Sequence, residues 1–597
     1  MLKEKLTGKI GRKMERILVG VAMLVLTRRY PLMWPVFLVY VLKEGVTAYF
    51  AYVARQKESF SKSTRWYDAS CRGVTLLVLF VLFIKPDIGY FKANILMSVS
   101  MVCMGISVLG QSLPKCVAVK RGMNAGRKRY GWRVGVVLCV VVYYLAGILC
   151  SGMPQPRVSD AYKESLNTNT FYGEGACCDR ATIFEDNEEA LFERVRLIHN
   201  AKERVILSTF DFRDDEAGKV MIAALLAAAE RGVQVRVIVD GVSGMLRMGA
   251  NPYFMALSTH QNAEIRIYNK INLLKPWALM GRLHDKYVIA DDTAYFLGGR
   301  NTFSYFLGAT DGHINYDRDV FVYNAGGSAE SSLYQVEAYF NEVWNQKETK
   351  RFHDWSAKAR LTSVKNAKAE LTELLAAYYT EYPDVLTEPD YAAMTMPTKK
   401  ITLLANPTTI CAKEPTVFYA LAELMKQAKA QVTIHTPYLI CNEMMYDAFA
   451  EIAKQVPKAQ LMTNSAANNG NPFGSGDYMA EFSNILRTGM ELYEYEGGVS
   501  YHAKSIAIDD DLSIVGSFNM DMRSVYLDTE LMLVVDSTEL NAQLRGIMEQ
   551  YQAQSGVVAA DGSKAYPEGV EPQVMSRKKR MKVGLIYTLL GWARRLM

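Results

Sequence analysis

The chain has 597 residues, half of them hydrophobic, and 68 Lys plus Arg against 62 Asp plus Glu give a formal net charge of +6. That length is too great for one compact core, so two or three domains are expected. The small, dispersed charge makes no electrostatic footprint for nucleic acid, and the nine cysteines show no CxxC spacing of a structural zinc site.

Apolar residues gather in the first 152 positions. Runs at 17–26, 31–54, 73–84, 93–110 and 134–152 approach the roughly 20 residues that cross a bilayer as a helix. Residues 1–152 are therefore expected to form a transmembrane helical anchor with five crossings. Continued apolar runs argue against a cleavable signal peptide. The basic stretches are the N-terminus, the 55–72 loop and residues 111–133, which carry Lys115, Lys120, Arg121, Arg127, Lys128, Arg129 and Arg133. Placing them inside sends the rest of the chain to the outer face, giving a multi-pass cell-membrane protein with an extracytoplasmic catalytic portion. Cys71, Cys103, Cys116, Cys139 and Cys150 read as small apolar filler there.

Two segments of this anchor, TGKIGRKMERILVGVAMLVL and RWYDASCRG, resemble the later helices of the CDP-alcohol phosphatidyltransferases. The catalytic aspartates of that family are missing. Gly11, Arg12, Glu15 and Arg16 stand where acidic residues belong, so the resemblance implies a remnant that anchors rather than catalyses.

Beyond residue 175 the chain reads as soluble α/β sequence that repeats. LIHNAKERVILSTFDF at 197–212 aligns with LMKQAKAQVTIHTPYL at 424–439, an offset of 227, and in each a helix gives way to a β-rich run. In the first copy a helix stopped by Gly232 leads to the strand VQVRVIVD. In the second, NEMMYDAFAEIAKQV leads to AQLMTNS. Strand–helix alternation predicts a sheet flanked by helices in each copy: a first lobe at 175–345 and a second at 401–556. Residues 346–400 are expected to be a helical linker. Residues 575–597, with Arg577, Lys578, Lys579, Arg580 and Lys582 ahead of an apolar stripe, form a basic amphipathic tail suited either to an anionic membrane surface or to docking on the second lobe.

Each copy carries one conspicuous pattern. LHDKYVIADD holds His284, Lys286 and Asp291; YHAKSIAIDD holds His502, Lys504 and Asp509, 218 residues later. On a strand, residues two apart share a face, so each histidine projects with its lysine. A glycine turn ending in asparagine follows both, LGGRN with Asn301 and VGSFN with Ser517 and Asn519. This set fits phosphodiester chemistry, which needs a nucleophile, an acid for the leaving oxygen and fixed cations for the phosphoryl oxygens. One lobe supplies half of that. Two lobes about a pseudo-twofold supply all of it, without metal or other cofactor because two lysines provide the charge. Each imidazole also requires a carboxylate to fix its tautomer.

These motifs resemble those of the phospholipase D superfamily, whose signature is a pair of His-x-Lys-x4-Asp motifs. HAKSIAIDDDLSIVGSFNMDMRSVYLDTE is similar to the second motif of bacterial cardiolipin synthases, and the likeness spans about residues 175–555. The resemblance implies a duplicated phospholipase D fold and a covalent phosphohistidine resolved by an alcohol or by water. It assigns attack to His284 and protonation to His502, places Asp319 and Glu530 as the His-orienting carboxylates, and counts Asp291 and Asp509 with the catalytic motif residues, in a role more structural than chemical. Asn301, Ser517 and Asn519 are expected to bind phosphate. The implied substrate is a phospholipid, phosphatidylglycerol above all, with a membrane as the other partner and neither nucleic acid nor an obligate protein partner. Gly299 in place of a serine and the bulky Arg300 depart from the pattern, and Asp285 sets an acid beside the site. Hydrolysis, or a membrane scaffold that has lost activity, are the competing readings.

His199, His260, His313, His353 and His435 show no ligand spacing; surface or helix-end roles are expected, with His435 on a core strand. Cys411 and Cys441 could form a disulfide if the domain lies outside the cell. Cys177 and Cys178 follow a glycine turn and suggest only packing or redox chemistry.

Overall fold

The structure is a computed structural model. It describes Val19, Val140, residues 142–149 and residues 151–596 apart from Leu273, Asp354 and Trp355. The first four expected membrane crossings and the segments resembling CDP-alcohol phosphatidyltransferases lie outside the described residues, apart from Val19. Of the fifth, residues 142–149 and 151–152 are helical. Among the described residues no helix is long and apolar enough to cross a membrane. The chain divides into two compact units, residues 1–155 with 272–280, and residues 156–271 with 281–597. Within the first, Tyr143 Oη donates to Leu274 O at 2.6 Å.

The second unit holds both lobes. The first lobe contributes β1 (Asp179–Phe184), β2 (Arg204–Thr209), β3 (Gln234–Asp240), β4 (Ala263–Tyr268), β5 (Tyr287–Ala290), β6 (Ala294–Gly298), β7 (Asn315–Tyr316), β8 (Asp319–Asn324), β9 (Thr349–Arg351) and β10 (Met396–Pro397). The second contributes β11 (Lys400–Ala405), β12 (Gln431–His435), β13 (Lys458–Asn464), β14 (Glu491–Tyr495), β15 (Ser500–Tyr501), β16 (Ser505–Ile508), β17 (Leu512–Gly516), β18 (Leu531–Asp536), β19 (Ser555–Val558) and β20 (Lys564–Ala565). The sheet orders are β10-β1-β8-β6-β5-β2-β3-β4-β9 and β11-β18-β17-β16-β12-β13-β14-β19-β20. From β1 and β11 onward the two orders correspond strand for strand through β9 and β19, so the sequence repeat is a repeat of topology.

Helices flank these sheets: α1 (Asn187–Asn200), α2 (Glu216–Glu230), α3 (Leu333–Asn345), α4 (Thr362–Glu381), α5 (Thr416–Lys426), α6 (Glu443–Gln455), α7 (Pro472–Ala480), α8 (Met522–Tyr526), α9 (Thr538–Gln552) and α10 (Arg577–Leu590). α2 shows why the sequence stops and starts where it does. Asp215 caps its N-terminus by accepting from Gly218 N, and the helix ends at Gly232, whose φ of +100° suits glycine. The alanine-rich face of α2 packs with α1 on the first sheet, and Val364, Leu371 and Leu375 of α4 join the same core. The segment expected as a linker is thus helical at its centre, supplies β9 and β10 at its ends, and is built into the first lobe.

A second apolar core binds the lobes together. It unites Tyr287, Ile289, Leu333 and Phe340 of the first lobe with Ala507, Val515, Leu533, Val535 and Leu540 of the second. The helices that follow the equivalent strands β8 and β18, α3 and α9, both contribute to it.

Candidate active site

His284 and His502 stand in the extended segments that lead into β5 and β16, just ahead of the first ladder residue. Their backbone groups are therefore free to pair elsewhere, and both pair across the lobe boundary. β15 runs parallel to β7, aligning Tyr501 with Tyr316, and His502 N donates to Tyr316 O at 2.6 Å. The other half repeats this: Leu283 bridges Thr529 in parallel, and Thr529 N donates to Arg282 O at 2.9 Å. In each case the residue before a histidine sits beside the residue before a carboxylate of the other lobe.

The side chains follow from that backbone. Nδ1 of His284 lies 2.8 Å from Oε1 of Glu530, and Nδ1 of His502 lies 2.6 Å from Oδ2 of Asp317. Each lobe orients the other's imidazole. With both Nδ1 atoms engaged by carboxylates, Nε2 is the nitrogen available to a substrate, and at His502 it also lies 3.3 Å from Lys504 Nζ. Edge-on aromatic contacts hold the rings, Phe210 on His284 at 5.5 Å and Phe306 on His502 at 5.0 Å between centroids.

Asp317, not Asp319, is the carboxylate at His502. Gly298 pairs with Asp319 across β6 and β8, while the equivalent Gly516 pairs with Met532 across β17 and β18. Counting two residues back from each gives Asp317 and Glu530, so aligning Asp319 with Glu530 slips the register by two. Asp319 instead receives Nη2 of Arg194 at 2.8 Å and Nη1 of Arg300 at 2.9 Å. That buried brace accounts for the bulky Arg300. Gly299 is also explained, because a Cβ there would come within 2.1 Å of Asp317 Oδ1.

Ser517, at the corresponding place in the second lobe, holds a carboxylate rather than facing phosphate. Its hydroxyl donates to Glu530 Oε2 at 2.5 Å and accepts from Leu531 N at 3.0 Å. Ser524 adds a 2.6 Å bond to Oε1. Asn301 Oδ1 accepts from Asp211 N at 3.2 Å, and Asn519 Nδ2 reaches the Tyr438 hydroxyl at 3.3 Å. Asn519 Oδ1 is buried without a partner.

The lysines crowd the same centre. Lys286 Nζ donates to His284 O at 2.5 Å, and Lys504 Nζ reaches His502 O and lies 2.8 Å from His502 Nδ1. Burial lowers Lys286 to about 7 and Lys504 to about 8. Each histidine is lowered first by burial and then by a lysine of its own motif, and the other lobe's lysine acts in the same direction. The two motifs therefore share one electrostatic field. The carboxylates diverge. Burial drives Glu530 up to about 8, whereas Lys504, His502 and Arg300 overcome the burial of Asp317 and hold it well below the usual carboxylate range. Buried Lys413 is a further cation in this field, lowered by burial to about 8 and then influenced by Asp528, Asp285 and Glu530.

Asp291 and Asp509 stand away from the imidazoles. Asp291 accepts from Lys202, Glu203 and Arg204 N–H at 2.8–2.9 Å, and Asp509 from Lys429, Ala430 and Gln431 N–H at 2.8–3.0 Å. Both have left-handed backbones, with φ of 51° and 46°. They tie the end of one strand to the start of its neighbour. Asp285, alternating away from His284, accepts from Tyr339 Oη at 3.0 Å.

Residues 195–344 and 421–552 match the family model described as "Cardiolipin synthase, PLD-like domain". The two lobes are phospholipase D-like domains. The chain is similar to an uncharacterized protein of Helicobacter pylori (strain ATCC 700392 / 26695), 25% identical over 71% of this chain and 88% of that one. It is similar to cardiolipin synthase C of Escherichia coli (strain K12), 26% identical over 62% of this chain and 84% of the relative. Among solved structures, the phosphatidylserine synthase of Haemophilus influenzae Rd KW20 aligns with a TM-score of 0.49 and 15% identity, covering 70% of this chain and 95% of that one.

Among the phospholipase D-like site residues, sequence reasoning missed Asp317, Thr529, Ser524 and Lys413. Asp317 was within reach, since DRD offers two acids and the glycine turns supply the register. Lys413 carries no local signal. His435 lies on β12, the core strand expected for it, and is buried 3.2 Å from Tyr501 Oη, so the surface or helix-end role does not apply to it. Cys177, Cys178, Cys411 and Cys441 are free thiols, so the Cys411–Cys441 disulfide is not formed.

Proposed function

We propose that this protein is a membrane-bound phosphatidyltransferase that makes cardiolipin and glycerol from two molecules of phosphatidylglycerol. The observation that carries the proposal is the reciprocal exchange of carboxylates, Glu530 to His284 and Asp317 to His502. It gives two imidazoles held through Nδ1, beside two lysine amines, with Lys504 Nζ 3.3 Å from Nε2 of His502. The phospholipase D-like domains and the relative named cardiolipin synthase support the choice of lipid.

Nε2 of neutral His284 attacks phosphorus of the donor. The bond from phosphorus to the glycerol oxygen breaks, and that oxygen takes the proton from Nε2 of His502. The acceptor phosphatidylglycerol then gives its hydroxyl proton back to His502 as its oxygen attacks the phosphohistidine, freeing His284. Lys286 and Lys504 hold the nonbridging oxygens through both steps.

Two differences support this order of roles. Burial and then Lys504 lower His502 to about 4, and anionic Asp317 opposes both, so a proton on His502 is held more firmly than it would be without that anion. His284 faces a carboxyl that burial pushes toward neutrality and remains the uncharged nucleophile.

The experiment is incubation of purified protein with radiolabelled phosphatidylglycerol in vesicles. Cardiolipin with equimolar glycerol is expected, and its loss in His284→Ala and His502→Ala. Phosphatidic acid alone would make the enzyme a hydrolase; no product would leave a duplicated scaffold.

A further inference from the structure

α10 has two faces with different tasks. One docks on the second lobe: Val583 is buried, and Tyr587 packs so closely on α7 that a Cβ at Gly476 would approach it to 2.8 Å. Beyond the helix, Arg594 makes a paired contact with buried Asp477, Nε at 2.7 Å and Nη2 at 2.8 Å. The opposite face carries Met581, Leu585 and Leu589, and Trp592 follows in the 3-10 segment Gly591–Leu596 after the helix, the four being 67%, 63%, 59% and 59% exposed. Their spacing of four, four and three places them on one stripe.

Exposed Arg577, Lys578, Arg580 and Lys582 border the stripe at the beginning of the helix. There they oppose the helix dipole, whose positive end repels cations. Intrahelical stability does not account for four cations at that end; an external anion does. No Asp or Glu lies between residues 572 and 597 to satisfy them locally.

We infer that this stripe and its basic border form a docking surface for an anionic lipid bilayer. Leu585, Leu589 and Trp592 enter the acyl region while the cations meet headgroup phosphates. The surface is wired to the catalytic centre. Arg523 Nη1 donates to Leu596 O at 2.8 Å, and Arg523 Nη2 pairs with Asp528 at 2.8 Å. Asp528 in turn accepts from Arg282 N at 3.3 Å, two residues before His284. Docking the tail thus sets the catalytic lobe at a fixed attitude to the lipid surface. The inference rests on no particular chemistry at His284 and His502.

The test uses the full chain reconstituted in vesicles whose acyl chains are brominated, with Trp592→Phe to isolate the emission of Trp592. In vesicles containing phosphatidylglycerol, Trp592 emission is expected to shift to the blue and to be quenched by bromine. Leu585→Glu combined with Leu589→Glu should abolish both effects; the two leucines are exposed, so the lobe should melt as in the parent. Absence of Trp592 quenching in anionic vesicles overturns the inference. Equal quenching in purely phosphatidylcholine vesicles removes the role of the basic border. A Trp592 shift that depends on protein concentration in detergent without lipid would assign the stripe to a second copy of the chain instead.

Discussion

The two histidine–carboxylate pairs are one backbone arrangement in two electrostatic states. Tyr501 beside Tyr316 and Leu283 beside Thr529 set both pairs by the same parallel contact between lobes. Yet Asp317 is held anionic by Lys504, His502 and Arg300, while burial raises Glu530 to about 8. A displacement through a phosphohistidine needs an uncharged imidazole on one side and a cationic one on the other. A perfectly symmetric dimer of lobes would offer two of the same. Duplication followed by divergence at Gly299 and Ser517 supplies the difference, one admitting a short carboxylate close by, the other holding a longer one.

The largest expected effects break this comparison at its anionic side. Asp317→Asn removes the anion that opposes burial and Lys504 at His502 and stabilises the imidazolium when it forms, and kcat should fall about 10^3–10^4-fold, as when a triad aspartate is neutralised. Glu530→Gln replaces a carboxyl already pushed toward neutrality, so the fall at pH 7 should be only about 10–100-fold. Steady-state transfer rates for both variants decide it. Equal losses, or a greater loss for Glu530→Gln, would remove the asymmetry and with it the assignment of acid and nucleophile.

Asp319→Asn sharpens the distinction between neighbours two residues apart. Asp319 neutralises Arg194 and Arg300, all three being buried. Removing its charge leaves two cations unpaired and should cost about 3–5 kcal/mol of stability. Thermal or denaturant unfolding should show this loss, while the molecules that remain folded keep their transfer rate. Asp317→Asn should do the reverse.

The lesson of those neighbours concerns what a sequence carries. His284, Lys286, His502 and Lys504 were legible because a duplicated spacing on a duplicated scaffold is hard to obtain by chance. The two lobes were legible for the same reason, helix period passing into strand period at a constant offset. Asp317 was not, because residues two apart in an extended segment project alike and only the ladder register chooses between them. Ser517 looked like a phosphate ligand until the position of Glu530 claimed its hydroxyl. The opposing protonation of the two carboxylates lies in burial and in the sum of several distant charges, which no local spacing encodes.

A smaller effect appears in the pH profile. Lysine is cationic below its pKa, so the phosphate clamp of the empty site loses charge at Lys286 near pH 7 and at Lys504 near pH 8. kcat/KM, which reports the free enzyme, should therefore decline with rising pH from about 7 and steepen above about 8. Lys504→Arg keeps its charge throughout that range, and the steeper portion should disappear even if the rate at pH 7 is reduced. A decline unchanged in slope would place the second titration elsewhere.

The smallest effect on chemistry is expected where the motif itself would suggest a large one. Asp291 and Asp509 each gather three backbone N–H groups and touch neither imidazole. Alanine at either position leaves those donors without the carboxylate and forces a left-handed backbone on a residue that resists it. Together these should cost about 2–3 kcal/mol of stability. Asn, which tolerates that backbone and still offers an oxygen, should cost less. The decisive measurement is transfer rate per folded molecule, normalised by the unfolding curve of each variant. If Asp291→Ala depresses that normalised rate as Asp317→Asn does, the third member of the motif acts at the phosphorus after all, and the separation between the strand clamp and the catalytic pairs fails.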